Sequence, residues 1–471
     1  MVSRNRIRKI EVQGVIDRYD YIIDFTKGDA RIKAIYAENG HGKTNMLRAL
    51  TSLASNKLED FKQILHLPFR VINIETDYGQ VSCVRESSRA CSISTKRIFD
   101  DKSGKLFNIN DVEIKLDDIN RELEDDEEMS NEISDFMKKY RGISMEIHKI
   151  IGNVVFLDSN RLQNKRLLHN INSHLYMYNI PHGYRKNAEE YSYNQDISGE
   201  NVEGVLQTLA LSLRNEARRI NLGDGRHRRD VYYSIVNKII INGNNVHSVE
   251  YANPEEAIRS KVRKIRESIK KIDSYGLINS REFTKIDDAI ENLAEGNESV
   301  FENLRGVLIP YLDNLSSQIE SFSVISDLID IFLDAVNTML NSVNLKFNEE
   351  NCGNFSIHFL YGEFSSQRMG LEAIKLPNGE KAKKLSSGEK HLLILLSVLT
   401  MCSLNSTSLL LIDEPEISLG ISWQRTLRKY MKRLVGEQGA QIVFATHSPV
   451  ILDGCSRENI IFDNVSKEYL V

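Results

Sequence analysis

The stretch Arg31-Ile-Lys-Ala-Ile-Tyr-Ala-Glu-Asn-Gly-His-Gly-Lys-Thr-Asn-Met-Leu-Arg-Ala-Leu50 constrains the fold of this chain more than any other. An apolar run from Ile32 to Tyr36 gives way to a turn with Gly40 and Gly42, then to Lys43-Thr44 and a helical pattern. That order reads as strand, loop and helix. Glycines let backbone N–H groups curl around phosphate oxygens, and the helix N-terminus adds its partial positive charge. Lys43 then reaches the outer phosphates and the Thr44 hydroxyl sits on Mg²⁺. One position departs from the spacing G-x-x-x-x-G-K-[ST], because its first glycine is Ala37. Alanine disfavours φ > 0, so the loop is expected to turn there in a conformation that alanine tolerates.

Three further pieces follow in the last ninety or so residues. Lys384-Leu-Ser-Ser-Gly-Glu-Lys-His391 precedes an apolar run from Leu392 to Met401. Ser386 and Ser387 offer hydroxyl and N–H groups at a helix start, where an anion can dock, and Gly388 lets backbone come close. Read alone, the same residues are an N-cap before a buried helix. Ser408-Leu-Leu-Leu-Ile-Asp-Glu-Pro-Glu-Ile-Ser-Leu419 reads as a central strand with Asp413-Glu414 at its C-terminal end. One carboxylate can reach a Mg²⁺ shell while the next takes a proton from an attacking water. Two adjacent carboxylates at a buried strand end are costly to desolvate without a cation. Finally, Gln441-Ile-Val-Phe-Ala-Thr-His-Ser-Pro449 is a strand ending at His447, placed to hydrogen-bond a terminal phosphate or the attacking water.

Composition sets the outer limits. With 471 residues the chain has room for two or three domains, and 41% hydrophobic with 27% charged residues describes an ordinary globular protein. The net charge of −5 gives no global signal for nucleic acid, so any such contact must come from local patches. Cys83, Cys91, Cys352, Cys402 and Cys455 form no C-x-x-C pair and no zinc spacing, which reads as reduced cytosolic thiols. No signal segment and no run long enough to span a membrane is expected, and the protein reads as cytoplasmic.

Strands are expected at 7–14 and 21–25 before the phosphate loop, and the runs at 70–75, 81–86 and 92–98 fit a small antiparallel sheet beside it. Tyr19 and Tyr21 fit either a core role or stacking on a nucleotide base. The acidic segment 117–135 reads as a solvated loop or helix face. Val154 to Leu157 is a buried strand whose end makes Asp158, Asn160 and Arg161 site candidates. From about 200 to 342 the pattern is helical. Asn253-Pro254 starts a helix with the apolar stripe Ile258, Val262, Ile265, Ile269 and Ile272. A second stripe runs Ile319, Phe322, Ile325, Ile329, Phe332, Val336 and Leu340. The basic flank Arg259 to Lys271, and a cluster from Arg214 to Arg229, fit a solvated face or a DNA contact. The chain returns to sheet at 354–361. The expected organisation is α/β, with lobes at 1–165 and 345–471 around a helical insertion at 166–344.

The order of motifs resembles the ABC-type ATPase superfamily, in the branch with RecF, SMC proteins and overcoming-lysogenization-defect ATPases. Leu385-Ser-Ser-Gly-Glu389 with Asp-Glu-Pro-Glu-Ile-Ser-Leu and Ala-Thr-His-Ser-Pro is similar, closer still, to ATPase subunits of bacterial anti-phage operons of the PARIS and Septu type. The resemblance implies an ABC-type head, a mixed or parallel sheet with a phosphate loop plus a small antiparallel sheet. It implies ATP binding by Asn39, Gly40, His41, Gly42, Lys43, Thr44 and Asn45, and by Ser386, Ser387 and Gly388 of an opposing protomer. It further implies Mg²⁺ held by Thr44 and Asp413, with Asn160 where the family often has its Q-loop glutamine. Glu414 would be the general base and His447 the switch, with Lys43 completing the catalytic set. Where the family has S-L-H the chain has Ser418-Leu419-Gly420, so a contact from that histidine is lost. The expected assembly is a homodimer or larger homo-oligomer closing around ATP, without a membrane. No TOPRIM nuclease is expected, since the sequence ends shortly after His447. A sensor and scaffold ATPase controlling a separately encoded effector, a nuclease, is the reading that follows. The rivals are a RecF- or SMC-like DNA repair clamp and a nucleotide-gated assembly protein.

Overall fold

A computed structural model of the chain describes residues 5–98, 106–124, 135–159, 202, 204–217, 220, 254–273, 275, 298–340, 343–348, 354–359, 385–404, 407–436 and 439–465. The chain divides into two compact units, one made of Met1–Val205 with Ala382–Val471 and the other of Leu206–Lys381. Residues 345–381, which the sequence pattern grouped with the C-terminal lobe, fall in the second unit.

The first unit holds two sheets. Strands β1 (Ile7–Val15), β2 (Tyr19–Asp24), β4 (Val71–Thr76), β5 (Gly79–Ser87), β6 (Ala90–Ile98), β7 (Leu106–Lys115) and β14 (Asn464–Val465) form a seven-stranded sheet ordered β14-β2-β1-β4-β5-β6-β7, antiparallel throughout. It is larger than the three-stranded sheet the sequence suggested, because β1, β2, β7 and β14 also join it. The other sheet is parallel, ordered β13-β3-β12-β11-β8, from β3 (Ile32–Tyr36), β8 (Asn153–Leu157), β11 (Thr407–Asp413), β12 (Gln441–Thr446) and β13 (Ile460–Phe462). Every residue of β11 and β12 is buried. Both faces of a parallel sheet are covered, so its strands read as unbroken apolar runs.

Helix α1 (Lys43–Leu53) lies in the layer between the sheets. One buried cluster runs from Ile10, Tyr21, Ile72 and Val81 through Met46, Leu47 and Leu50 to Ile35, Leu411 and Val443. Also in this unit are α2 (Leu58–Lys62), α3 (Leu116–Glu124) and α4 (Asp135–Ile151). The acidic segment therefore begins as helix α3, and its continuation at 125–134 lies outside the described residues.

Gln441 joins the two sheets. Its Oε1 accepts from Ile7 N at 2.7 Å while its Nε2 donates to Ile7 O at 2.8 Å, so the amide imitates a backbone partner in a buried position. Leucine there would leave a buried donor and a buried acceptor without partners, each costing about 1–3 kcal/mol. Gln441→Leu is therefore expected to lower the melting midpoint of the protein by roughly 5–10 °C, and an unchanged melt would refute the bridging role.

In the second unit, α5 (Pro254–Asp273) packs on the 42-residue α6 (Glu298–Met339). Both sequence-predicted apolar stripes are buried in it, from Ile258 to Ile272 and from Ile319 to Leu340. Arg263, Lys264 and Lys270 are exposed, and Lys261 pairs with Asp313. Of the cluster Arg214 to Arg229, Arg214 is described and Arg218, Arg219, Arg226, Arg228 and Arg229 lie outside the described residues. An antiparallel pair, β9 (Val343–Asn348) with β10 (Asn354–Phe359), completes the unit. Asn337 of α6 holds β9 by donating to Leu345 O at 3.0 Å and accepting from Leu345 N at 2.6 Å.

Back in the first unit, helix α7 (Ser387–Leu404) is long and apolar enough to cross a membrane by length and composition alone. Leu392 through Leu396, Val398 and Leu399 are all fully buried beside the parallel sheet, so its apolarity belongs to the core.

Candidate active site

The parallel strands end together, and the site is built on their C-terminal ends. Strand β3 runs into the glycine loop, and α1 starts at Lys43 with Gly42 as its N-cap. The two positions that adopt positive φ are the glycines, Gly40 at 84° and Gly42 at 79°. Ala37 is not among the positive-φ residues, so the departure from the usual spacing costs no backbone strain. Gly42 is further constrained by close packing, since a Cβ there would meet Val15 Cγ1 at 2.5 Å and Ile16 Cδ1 at 2.8 Å. Ile16 belongs to the turn between β1 and β2 and itself adopts φ 54°, a strained state for a β-branched residue. The turn thus presses its apolar tip against the loop.

His41 anchors the loop from the side. Its ring stacks on Tyr19 at 4.3 Å between centroids, its Nδ1 meets Asp463, and its carbonyl accepts from the Tyr21 hydroxyl at 2.7 Å. Tyr19 and Tyr21 are both buried, which commits them to the core and to this anchor. Asn39 and Gly40 are exposed on the loop, and Asn45 is half-buried in the first turn of α1.

Lys43 points back over the loop. Its Nζ donates to Ala37 O at 2.7 Å and Glu38 O at 3.0 Å, and lies 3.3 Å from His447 Nδ1. Burial draws its pKa down while Glu414 and Asp413 oppose that effect. An ammonium only donates, so Nδ1 of His447 is the acceptor in this contact, and Nε2 lies on the other side of the ring. That nitrogen faces Glu414 Oε1 at 3.5 Å. Glu414 adopts φ 45°, and its N–H donates to Ala445 O at 2.9 Å, so β12 holds the strained turn.

The second half of the site faces α1. Thr44 Oγ1 donates to Asp413 Oδ2 at 2.8 Å, and Asp413 Oδ1 is buried without a hydrogen-bond partner. Burial pushes the Asp413 carboxyl up to about 6, with Glu414 adding to the rise and the Thr44 bond opposing it. An orphaned buried carboxylate oxygen beside a hydroxyl is the donor set a Mg²⁺ ion takes when phosphates supply other ligands. Among the described residues no group of three or more His, Cys, Asp or Glu could hold a metal by itself. Thr44 and Asp413 fit the ion; Asn160, the third expected ligand, lies outside the described residues, as does Arg161. Asp158, at the end of β8, accepts from Arg48 Nη2 at 3.0 Å.

A raised carboxyl pKa has a defined sign. A group that binds its proton more tightly when folded stabilises the fold below its ordinary pKa, and that contribution is lost as pH rises through about 6. Without metal or nucleotide, Asp413→Asn is therefore expected to be more stable than the parent at pH 8, by about 2 kcal/mol, with the gap falling to roughly half near pH 5 and closing below about pH 4. Melting curves in chelator across that range decide it, and equal curves at pH 8 count against an uncompensated buried charge.

The signature residues make their contacts elsewhere in the chain. Ser386 N and Oγ both donate to Glu389 Oε2, at 2.7 and 2.8 Å, while Glu389 N donates back to Ser386 Oγ at 3.3 Å. That is a capping box at the start of α7. Ser387 is exposed beside it, and Gly388 packs so closely that a Cβ would lie 2.4 Å from Ser418 O. The sequence therefore located the helix start, while the need for glycine at 388 comes from its own chain.

The AAA ATPase domain family matches the sequence over residues 6–452. The chain belongs to that family. No curated protein matches this AAA ATPase. Solved structures similar to it include the Smc head domain of Pyrococcus furiosus with an extended coiled coil, bound to the C-terminal domain of ScpA (12% identity, 99% of this chain and 97% of that one, TM-score 0.37). Others are an SmcHead bound to the C-winged helix domain of ScpA (10%, 98% and 99%, 0.35) and the Pyrococcus yayanosii Smc head with a coiled coil and joint (14%, 98% and 98%, 0.34).

Sequence reasoning missed three residues of this ATPase site: Glu416, Asp463 and Gln424. The third acidic residue of Asp-Glu-Pro-Glu was the available signal for Glu416. Nothing local marked Asp463, which meets His41 across more than four hundred residues of chain.

Proposed function

We propose that this AAA ATPase hydrolyses ATP with Mg²⁺ at a site shared between two copies of the chain, in the manner of ABC-type heads. The observation that carries the reading is the convergence of Lys43, His447 and Glu414 on one side and Thr44 with Asp413 on the other. Lys43 and the loop N–H groups hold the phosphates. Glu414 takes the proton of the attacking water, and His447, between Lys43 and Glu414, orients that water or the terminal phosphate. Mg²⁺, bound by Thr44 and Asp413, would neutralise charge developing on the phosphates. Ser386, Ser387 and Gly388 of the second copy close the site over the nucleotide, so binding draws two copies together and hydrolysis releases them.

In the cell we place this cycle in a bacterial anti-phage system, where the chain is the sensor and scaffold for a separately encoded nuclease effector. Support for that setting is the run Asp-Glu-Pro-Glu-Ile-Ser-Leu with Ala-Thr-His-Ser-Pro. The exposed Arg263, Lys264 and Lys270 of α5 are where duplex DNA would meet the chain. The experiment is phosphate release by the purified chain with and without Mg²⁺, together with plaque assays in cells carrying the neighbouring genes. Absence of Mg²⁺-dependent release defeats the enzymatic reading. Equal plaque counts with the operon and with a Lys43→Ala operon defeat the defence reading.

A further inference from the structure

We propose that Glu416 is a positioning residue, holding His447 between Lys43 and Glu414 through the backbone of the segment that carries the histidine. The proposal rests on the ATPase reading above. Glu416 follows β11 in a tight turn, where Ile417 N donates to Glu414 O at 3.2 Å and Leu419 N donates to Glu416 O at 2.9 Å. From this turn its Oε1 reaches the end of the neighbouring strand. It accepts from Thr446 Oγ1 at 2.7 Å, from His447 N at 2.8 Å and from Ser448 N at 3.2 Å. Three donors on one oxygen fix the backbone on either side of the His447 side chain.

The same turn is tied in from α8 (Ile421–Val435). Ser448 Oγ donates to Gln424 Oε1 at 2.6 Å, and Gln424 Nε2 donates to Leu419 O at 2.8 Å. The ring of bonds therefore runs from the base-carrying turn to the histidine segment and back. Glu416 Oε2 meanwhile is buried without a hydrogen-bond partner. A buried polar oxygen left without a partner is costly, so the three bonds made by the other oxygen must offset it. The three bonds set one geometry, with the imidazole 3.3 Å from Lys43 Nζ and 3.5 Å from Glu414 Oε1.

The test compares Glu416→Ala, Glu416→Gln and Glu416→Asp in the full chain. Glutamine keeps an acceptor oxygen at the same reach, alanine removes it, and aspartate withdraws it by one methylene. Alanine and aspartate are expected to lower kcat at least about 30-fold with the ATP dissociation constant within about threefold, while glutamine stays within about fivefold of the parent kcat. The second readout needs no turnover. In nucleotide-free protein labelled with ¹³C at histidine Cε1, the resonance assigned by its loss in His447→Gln should move in the alanine and aspartate variants and stay in the glutamine one. An alanine or aspartate variant with parental kcat overturns the proposal, as does a loss of kcat matched by loss of ATP affinity. If alanine does not fold, the aspartate and glutamine pair decides between the same outcomes. If the parent binds ATP yet never turns over, a shifted resonance keeps the anchor and removes the ATPase reading, whereas an unmoved resonance removes the anchor.

Discussion

Glu414→Gln is expected to bind ATP as the parent does and to hydrolyse it about 10²–10³-fold more slowly. The side chain changes only its ability to take a proton, and the strained φ of 45° at residue 414 is as available to glutamine as to glutamate. Nothing that holds the phosphates is touched, since Lys43, the loop glycines and Thr44 lie on other elements. With cleavage stopped and binding intact, the ATP-bound pair should accumulate, visible as a shift from monomer to dimer by light scattering. Lys43→Ala is the contrasting lesion. It removes the cation whose Nζ now sits between Ala37 O, Glu38 O and His447, and ATP binding itself should fall by about 100-fold or more. Turnover by the Gln variant at the parental rate takes the base role away from Glu414. Tight ATP binding by the Ala variant takes the phosphate role away from Lys43.

The parts of this site that sequence revealed are those in which the chemistry is local. The glycine loop, the Asp-Glu strand end and the strand-end histidine each carry their residue types within a few positions, and fully buried β11 and β12 announce themselves as apolar runs. The helical stripes at 258–272 and 319–340 were legible for the same reason, because a period of 3.6 is a local property. What stayed hidden depends on residues far apart in the chain. Asp463 holds His41, Gln441 pairs with Ile7, and Glu416 gathers the 446–448 backbone, all through tertiary contacts that no spacing encodes. Gly388 shows a subtler limit. Its place in the motif suggested backbone approach to an anion, yet the approach visible in the chain is to Ser418 O. A glycine reports close contact without naming what is touched. Ala37 is the converse, since only the loop's φ values tell which of its turns needs a glycine.

Mixing Ser386→Arg with Lys43→Ala is expected to restore ATPase activity that neither variant has alone. In the folded chain Ser386 is tied to Glu389 at the start of α7, and Lys43 is tied to Ala37 and Glu38, with no bond joining the two. If both act on one terminal phosphate, they come from different copies. Ser386→Arg then leaves its own phosphate loop sound and blocks the copy opposite, so it should bind ATP nearly normally as a monomer and hydrolyse almost none. In a heterodimer the geometry separates the lesions unevenly. One site takes the sound loop of the Arg chain and the sound signature of the Ala chain, while the other site takes both defects. Each heterodimer should therefore turn over at about half the parental rate if one site works alone, and a 1:1 mixture with random pairing at about a quarter. Less than that, in heterodimers proven by differential tags, means that the two sites must be filled together. Hydrolysis by Ser386→Arg alone at the parental rate removes the shared site altogether and leaves a chain that cleaves ATP within its own loop.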